Sequence, residues 1–232
     1  MFKKFFAKFR IGLCYLLFAL ANIVFAAVIG ICLILSLFGL RDYKKKINAA
    51  LRIIVRLLSI TIFPSVGGYK VKIDGLENIQ KSPAIYTFNH ISLLDPLFAI
   101  SQIPNAAVVV KGKYDSILAI WLLTRFFDFI STGDGSRGDI ERAMEKISDA
   151  VGRGCNLIVF PEGTRMNGER LGDFKSMAFR LSRRTGIDIV PAAIKILPPL
   201  SPSDFNSADS LAAKAFRVIS AECKIMRVSK KS

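Results

Sequence analysis

Short apolar runs alternate with helical stretches from residue 69 onward, and this alternation constrains the fold more than any other feature of the chain. The strand-like runs are Tyr69–Ile73, Ala84–Phe88, Ala106–Val110, Asp128–Ile130, Asn156–Phe160 and Ile187–Ile196. The helical stretches are Asp95–Ser101, Ile117–Phe127, Asp139–Val151, Ser176–Arg184 and Ser207–Ile225. Strands that alternate with helices are typical of α/β domains. The sequence therefore predicts a mostly parallel central sheet flanked by helices over residues 67–232.

The amino-terminal residues 1–66 have a different pattern, which indicates a membrane anchor. Ile11–Leu40 contains no charged residue, and basic residues flank it on both sides. As a helix this run measures roughly 45 Å, against a hydrocarbon core of about 30 Å, so it either spans the bilayer with a tilt or enters and returns. Tyr43–Phe63 follows as a basic amphipathic helix, with Val55 on its apolar stripe and Ser59 on its polar stripe. That helix either lies among lipid headgroups or packs on the domain.

The charge and cysteine content narrow the classes of partner. The formal net charge is +15 and the pI is about 9.9, which favours an anionic partner surface. Because basic residues bracket the long apolar run, we expect membrane lipids and no nucleic acid. The four cysteines are scattered and there is one histidine, so neither a zinc site nor a disulfide framework is expected.

His90 is the only histidine, and it stands in the string Asn89-His90-Ile91-Ser92-Leu93-Leu94-Asp95. Histidine is the commonest general base, because its usual pKa lies near neutrality. A carboxylate on one ring nitrogen fixes the tautomer and leaves the other nitrogen free to take a proton. Two plainer interpretations stay open: His90 is a structural residue, and Asp95 is an N-cap before Pro96.

A second group of polar residues follows another apolar strand, in the string Val159-Phe160-Pro161-Glu162-Gly163-Thr164-Arg165. Because parallel strands end at one edge of a sheet, this string should emerge beside His90. Glu162 can hold a cation or a hydroxyl, Gly163 permits close approach of a backbone, and Arg165 matches a phosphate or carboxylate. Lys175 adds a second possible contact with an anion. A polar turn without function is the alternative.

Taken together, the two strings resemble the glycerolipid acyltransferase family, and most closely its bacterial 1-acylglycerol-3-phosphate acyltransferases. The resemblance rests on Asn89-His90, four intervening residues and Asp95, followed about 70 residues later by Phe160–Arg165. Gly172–Phe179 and Ile189–Ile194 resemble the family's later motifs, in the right order. The similarity runs from roughly Gly67 to Ile196.

The resemblance implies an O-acyltransferase of phospholipid biosynthesis that moves a fatty acyl group from acyl-CoA or acyl-carrier protein to the hydroxyl of a lysolipid. His90 would be the base and Asp95 would orient it. The residues implied to bind the acceptor are Asn89, Glu162, Gly163, Thr164, Arg165, Arg137 and Lys175. The resemblance implies no metal and no bound cofactor. It implies a bacterial inner membrane location, with the catalytic domain facing the cytoplasm.

One block departs from the family pattern. Where the family has a string resembling Ile-Asp-Arg, this chain reads Ile130-Ser131-Thr132-Gly133-Asp134-Gly135-Ser136-Arg137. Arg137 either replaces the family's arginine from a shifted position, or the acceptor is another lysolipid, such as lyso-ornithine lipid. Gly133–Gly138 also fits the G-x-G-x-x-G pattern of dinucleotide sites, with a flexible glycine loop as the alternative.

Two other functions remain compatible with the sequence. A thioesterase-like hydrolase would use the same His90–Asp95 pair with water as the acceptor. A membrane-surface binding module without catalysis would need only the basic anchor. The sequence leaves open the acyl donor, the chain-length preference, the membrane topology and the oligomeric state.

Overall fold

The chain divides into two compact units, Met1–Val71 and Lys72–Ser232. A computed structural model describes residues 52–62, 74–91, 95–116, 128–166, 171–193 and 197–229, together with positions 121 and 124 and scattered positions between 9 and 34. The expected boundary between residues 66 and 67 lies outside the described residues, as does the strand expected over Tyr69–Ile73.

The described part of the first unit is helical. Residues 52–56 are α-helical and continue as a π-helix over Leu57–Ile62. Val55, predicted on the apolar stripe, is buried, and Ser59, predicted on the polar stripe, is also buried. Ser59 lies four residues after Val55, and residues four apart share one face of an α-helix, so the assignment of Ser59 to the polar stripe was wrong. Of the expected anchor over residues 11–40, the described positions are helical. No helix within the described ranges has the length and apolar character needed to cross a membrane.

Five parallel strands form the central sheet of the second unit, as the alternation predicted. They are β1 (Ile85–Phe88), β2 (Ala106–Val110), β3 (Phe129–Ser131), β4 (Asn156–Val159) and β5 (Ile189–Ala192). Their order across the sheet is β3-β2-β4-β1-β5, and every neighbouring pair is parallel. The pairing sets Thr87 opposite Val159, so β1 and β4 end at the same edge. Pro191, which lacks an N–H donor, lies in the edge strand β5, where that loss is tolerated.

Helices cover both faces of this sheet. They are α1 (Asp95–Gln102), α2 (Arg137–Gly152), α3 (Met177–Thr185) and α4 (Ala208–Ser229). Alternate strand residues, such as Ile85 and Leu157, pack with α2, α3 and α4 in one apolar cluster. The residues between them, such as Tyr86 and Ile158, pack with α1 in a second cluster. Burial on both faces explains why the strands read as mostly apolar runs.

The observed helices differ from the predicted ones mainly at their ends. α2 begins at Arg137, two residues before the predicted start, because the Ser136 side chain accepts a hydrogen bond from the Asp139 N–H. The helix predicted over Ile117–Phe127 is described only at Trp121 and Thr124, which are both helical.

Candidate active site

Both polar strings emerge at the carboxyl edge of the sheet, as predicted. Asn89 and His90 follow β1, and Phe160 begins the turn after the neighbouring β4. The His90 and Phe160 rings lie with their centroids 4.6 Å apart. The aromatic ring therefore forms one wall beside the imidazole.

The His90 imidazole is paired with the Asp95 carboxylate. The distance from His90 Nδ1 to Asp95 Oδ2 is 3.1 Å, and the same oxygen accepts the Ile91 backbone N–H at 2.7 Å. The two side chains are 17% and 22% exposed, which leaves the pair within reach of a substrate. With the proton of the neutral ring on Nδ1, facing the carboxylate, Nε2 is the free acceptor. This arrangement can accept a proton from a hydroxyl and stabilise the resulting imidazolium.

The backbone of His90 is held from both sides by the turn after β4. Its N–H donates to Glu162 Oε1 at 2.8 Å, and its carbonyl accepts the Met166 N–H at 2.8 Å. These two bonds join segments about 70 residues apart in sequence. They fix the direction in which the imidazole leaves the chain.

Glu162 is buried, with only 5% of its surface exposed. Its second oxygen, Oε2, accepts the Gly172 N–H at 2.8 Å. Burial raises the pKa of Glu162, and the N–H groups of Gly172 and His90 partly oppose that rise. Since both oxygens accept backbone N–H groups, the geometry gives this carboxylate a contact with the His90 loop rather than an open face toward a ligand.

Gly163 and Lys175 are in close contact. Gly163 has a φ of 62°, a left-handed conformation that favours glycine, and a Cβ there would lie 2.9 Å from Lys175 Cε and 3.0 Å from Nζ. The Lys175 backbone N–H donates to the Pro161 carbonyl at 2.8 Å, which fixes the segment before α3 against the turn after β4. The glycine thus lets the lysine side chain pass over the turn.

Arg165, Thr164 and Asn89 complete the set of predicted residues near the imidazole. Arg165 and Thr164 are exposed, and Asn89 is half-buried. Within the described ranges, the Arg165 guanidinium forms no ion pair or hydrogen bond. An exposed and unpaired guanidinium can bind an anion without first breaking another contact.

Phe160 is part of the wall of a cavity of about 780 Å³, which also contains two lysines that were not predicted from the sequence. Lys111 and Lys113 line it together with Lys175, Gly163 and Phe160. Lys111 directly follows β2, so the rule that strand ends carry ligand contacts would have identified it. Phe160 both lines the cavity and contacts the His90 ring, so the cavity adjoins the imidazole.

Arg137 is not brought together with the other candidates. Its side chain is 93% exposed, and its Nε donates to Glu141 one turn along α2 at 3.0 Å. It does not line the cavity. The shifted replacement considered for the family's arginine is therefore not what this geometry offers.

The backbone N–H groups of the glycine-rich loop between β3 and α2 donate to oxygen atoms of neighbouring residues in the chain. The Gly133 N–H donates to Ser131 Oγ and the Asp134 N–H to Asp139 Oδ2. The Gly135 N–H donates to the Thr132 carbonyl and the Ser136 N–H to Asp134 Oδ1. Hydrogen bonds with the Asp134 side chain and N–H, and then with Arg142, lower the pKa of Asp139 to about 2. A dinucleotide site needs such N–H groups for a pyrophosphate, and here protein oxygens already accept them. The loop is a wall of the cavity instead.

The described residues were compared with the side-chain groupings that bind metal ions. Among the residues described here, no three side chains of the His, Cys, Asp or Glu type are grouped as metal ligands. Cys155 is buried near the start of β4, and burial is the main cause that raises the pKa of its thiol. Because β1 and β4 are parallel, Cys155 lies at the amino edge of the sheet and His90 at the carboxyl edge, so the thiol does not belong to the set of residues around the imidazole.

Comparisons with known proteins identify relatives of the chain. Residues 70–195 match the family described as Acyltransferase. The 1-acyl-sn-glycerol-3-phosphate acyltransferase LPAT1 of Arabidopsis thaliana chloroplasts is 31% identical over 155 residues, which cover 64% of this chain and 42% of that protein. The 1-acyl-sn-glycerol-3-phosphate acyltransferase of Saccharomyces cerevisiae is 28% identical over 169 residues, which cover 70% of this chain and 52% of that protein. The chain thus spans about half the length of these relatives.

A solved structure has the same fold. The crystal structure of the 1-acyl-sn-glycerophosphate acyltransferase PlsC from Thermotoga maritima superposes with a TM-score of 0.70. The match covers 91% of this chain and 95% of that one, at 22% sequence identity. At this identity the likeness concerns the fold.

Proposed function

The chain belongs to the Acyltransferase family, and from this premise we propose that it transfers a fatty acyl group from an acyl thioester to the free hydroxyl of a lysolipid. The family resemblance found in the sequence is thereby confirmed. The relatives' names make 1-acylglycerol-3-phosphate the first acceptor to test, with phosphatidic acid as the product. Acyl-CoA and acyl-carrier protein are the two donors to compare.

The observation that carries the proposal is the His90–Asp95 pair, whose imidazole contacts Phe160 in the wall of a lysine-lined cavity. His90 Nε2 takes the proton of the acceptor hydroxyl as its oxygen attacks the thioester carbonyl. The carbon–sulfur bond then breaks, and the thiolate leaves with the proton that the imidazolium returns. Asp95 accepts the Nδ1–H of the ring and stabilises the imidazolium between these steps. No acyl-enzyme is needed.

Cations that have no ion-pair partner in the described part of the chain supply the binding of the acceptor's anionic head. Arg165 offers a planar fork, and Lys111 and Lys175 are point charges in the adjoining cavity. Elsewhere in the described ranges several arginines are in ion pairs, for example Arg153 with Asp128. Cations without carboxylate partners beside a general base favour an anionic substrate.

The proposal includes a membrane location, because the lysolipid and the product both reside in a bilayer. The uncharged run Ile11–Leu40 and its basic flanks support an attachment to anionic lipid. The bacterial cytoplasmic membrane, with the catalytic unit on its cytoplasmic side, is the proposed site.

The test is lipid mass spectrometry after purified protein is incubated with an acyl thioester and 1-acylglycerol-3-phosphate. We expect phosphatidic acid from the wild type and none from His90→Ala. The two proteins should have the same circular dichroism spectrum, which would show that the variant is folded. Acyl release without any lysolipid would instead identify a thioesterase. Full transfer by His90→Ala would refute the mechanism, and no transfer by the wild type to any of a panel of lysolipids would refute the function.

A further inference from the structure

The strand order arranges the charged groups of the cavity in a sequence. His90 follows β1, and Gly163, with Lys175 over it, follows the neighbouring β4. Lys111 and Lys113 follow β2, the next strand across. A ligand that starts at the imidazole and runs across the sheet edge therefore meets cations first.

Carboxylates stand at the far end of the same cavity. Asp134 follows β3, the strand beyond β2, and lines the cavity. Asp115 also lines it and is held at the end of β3, because Ser131 Oγ donates to its Oδ2 at 2.6 Å. Across the edge the order is thus base, cations and then carboxylates.

One carboxylate oxygen of Asp115, Oδ1, is buried and has no hydrogen-bond partner among the described residues. Within those residues, neither Asp115 nor Asp134 forms an ion pair with any of the three cavity lysines. A buried carboxylate oxygen without a donor calls for an explanation, and a turn of the half-buried Asp115 side chain toward the cavity would give this oxygen a donor on the ligand.

Resting on the proposed function, we propose that this site takes a lysophospholipid whose phosphate carries an ammonium-bearing substituent, with Asp115 as the residue that selects the ammonium. The reacting hydroxyl lies at His90, the phosphate lies among the lysines, and the ammonium lies at Asp115. Strands are spaced by about 4.8 Å, so β3 is about 14 Å from β1. An extended glycerophosphoethanolamine head reaches about 10 Å from hydroxyl to nitrogen at ordinary bond lengths. The two lengths are of the same order, and the side chains that carry the base and the carboxylate make up part of the span.

The test compares two acceptors, 1-acylglycerol-3-phosphate and 1-acylglycerophosphoethanolamine, by kcat/KM for each. We expect the wild type to use the ammonium-bearing acceptor at least as well as the monoester. Asp115→Asn keeps an oxygen for Ser131 and removes the charge, so the ratio of the two kcat/KM values should fall about tenfold, as for one lost charge-assisted hydrogen bond. Asp209→Asn, which removes an exposed carboxylate in the first turn of α4, is the matched control and should leave the ratio unchanged.

The ratio does not depend on the folded fraction, because both acceptors are measured on the same preparation. Should Asp115→Asn fail to fold, the second reading comes from a changed acceptor and needs no variant. An N-acetylated head, which lacks the ammonium, should lose the advantage in the wild type. A wild type that acylates the monoester alone, or a ratio that is the same in the wild type and Asp115→Asn, would overturn this inference and leave the proposed function standing. Failure with every lysolipid would reject the proposed function itself.

Discussion

Replacing Glu162 should slow catalysis without weakening the binding of the acceptor. Both of its oxygens accept backbone N–H groups, from His90 and Gly172, each at 2.8 Å, and only 5% of the residue is exposed. The carboxylate therefore acts on the reaction through the position of the imidazole. Glu162→Gln keeps one acceptor oxygen and turns an NH₂ group toward the other N–H. Glu162→Ala removes both acceptors.

The expected losses follow from these two hydrogen bonds. A buried N–H left without an acceptor costs about 1–3 kcal/mol, so Glu162→Ala should lower the free energy of unfolding by about 4 kcal/mol. Glu162→Gln should lower it by about 1–2 kcal/mol, because removing a buried charge offsets part of the lost bond. Misplacing the base should reduce kcat about tenfold in the glutamine variant and about 100-fold in the alanine variant.

The pH dependence of stability gives an independent reading. Burial raises the pKa of Glu162, so the folded protein holds this proton more tightly than the unfolded chain does. The stability linked to that proton is fully present below the usual pKa of glutamate and is lost as the pH rises through the folded pKa. Because glutamine does not titrate, the stability advantage of the wild type over Glu162→Gln should shrink as the pH rises across that interval.

The assays are urea unfolding followed by circular dichroism, at two pH values, and initial rates over a range of acceptor concentrations. Glu145→Gln, an exposed position on α2, is the matched control and should change neither quantity. An acceptor KM raised tenfold at unchanged kcat would refute the reasoning, because it would place Glu162 in contact with the lipid. Equal stability of wild type and Glu162→Gln at every pH would contradict the account of its burial.

Three further changes test the rest of the site. Gly163→Ala should lower acceptor kcat/KM about tenfold, because a Cβ at a φ of 62° is strained and displaces Lys175; wild-type kinetics would contradict this. Arg165→Ala should raise the acceptor KM about tenfold and leave the donor KM unchanged, with Arg184→Ala as an exposed control. A change confined to the donor would overturn that assignment. Removing residues 1–40 should release the protein from anionic vesicles in a flotation assay, and retention would show that the rest of the chain suffices.

The strands were predictable because they are buried on both faces. β1 and β4 each lie inside the apolar run that predicted them, shorter by one residue, since neither face requires polar residues. The boundary of α2 was less predictable. Its start depends on one cap at Ser136, and the apolar periodicity by itself placed the start two residues later.

The meeting of His90 and Glu162 was predictable for a topological reason. His90 and Glu162 are 72 residues apart, yet both follow strands, and neighbouring parallel strands deliver their carboxyl ends to one edge. The same rule applied to β2 would have found Lys111. It was missed because a lysine after a strand also looks like an ordinary solvated turn. Only the cavity distinguishes the two interpretations.

The block that departs from the family pattern could not be interpreted without the structure, because its charges are used within the block. Asp139 accepts the Asp134 N–H and forms an ion pair with Arg142. Arg137 forms an ion pair with Glu141. The charged groups of the loop and of the first turns of α2 are therefore paired with one another. A segment whose charges are mutually paired has little left for a ligand. Differences in acceptor selectivity between this chain and its relatives should therefore lie in unpaired groups around the cavity, which is why the substitution of Asp115, and not of Arg137, is the informative experiment.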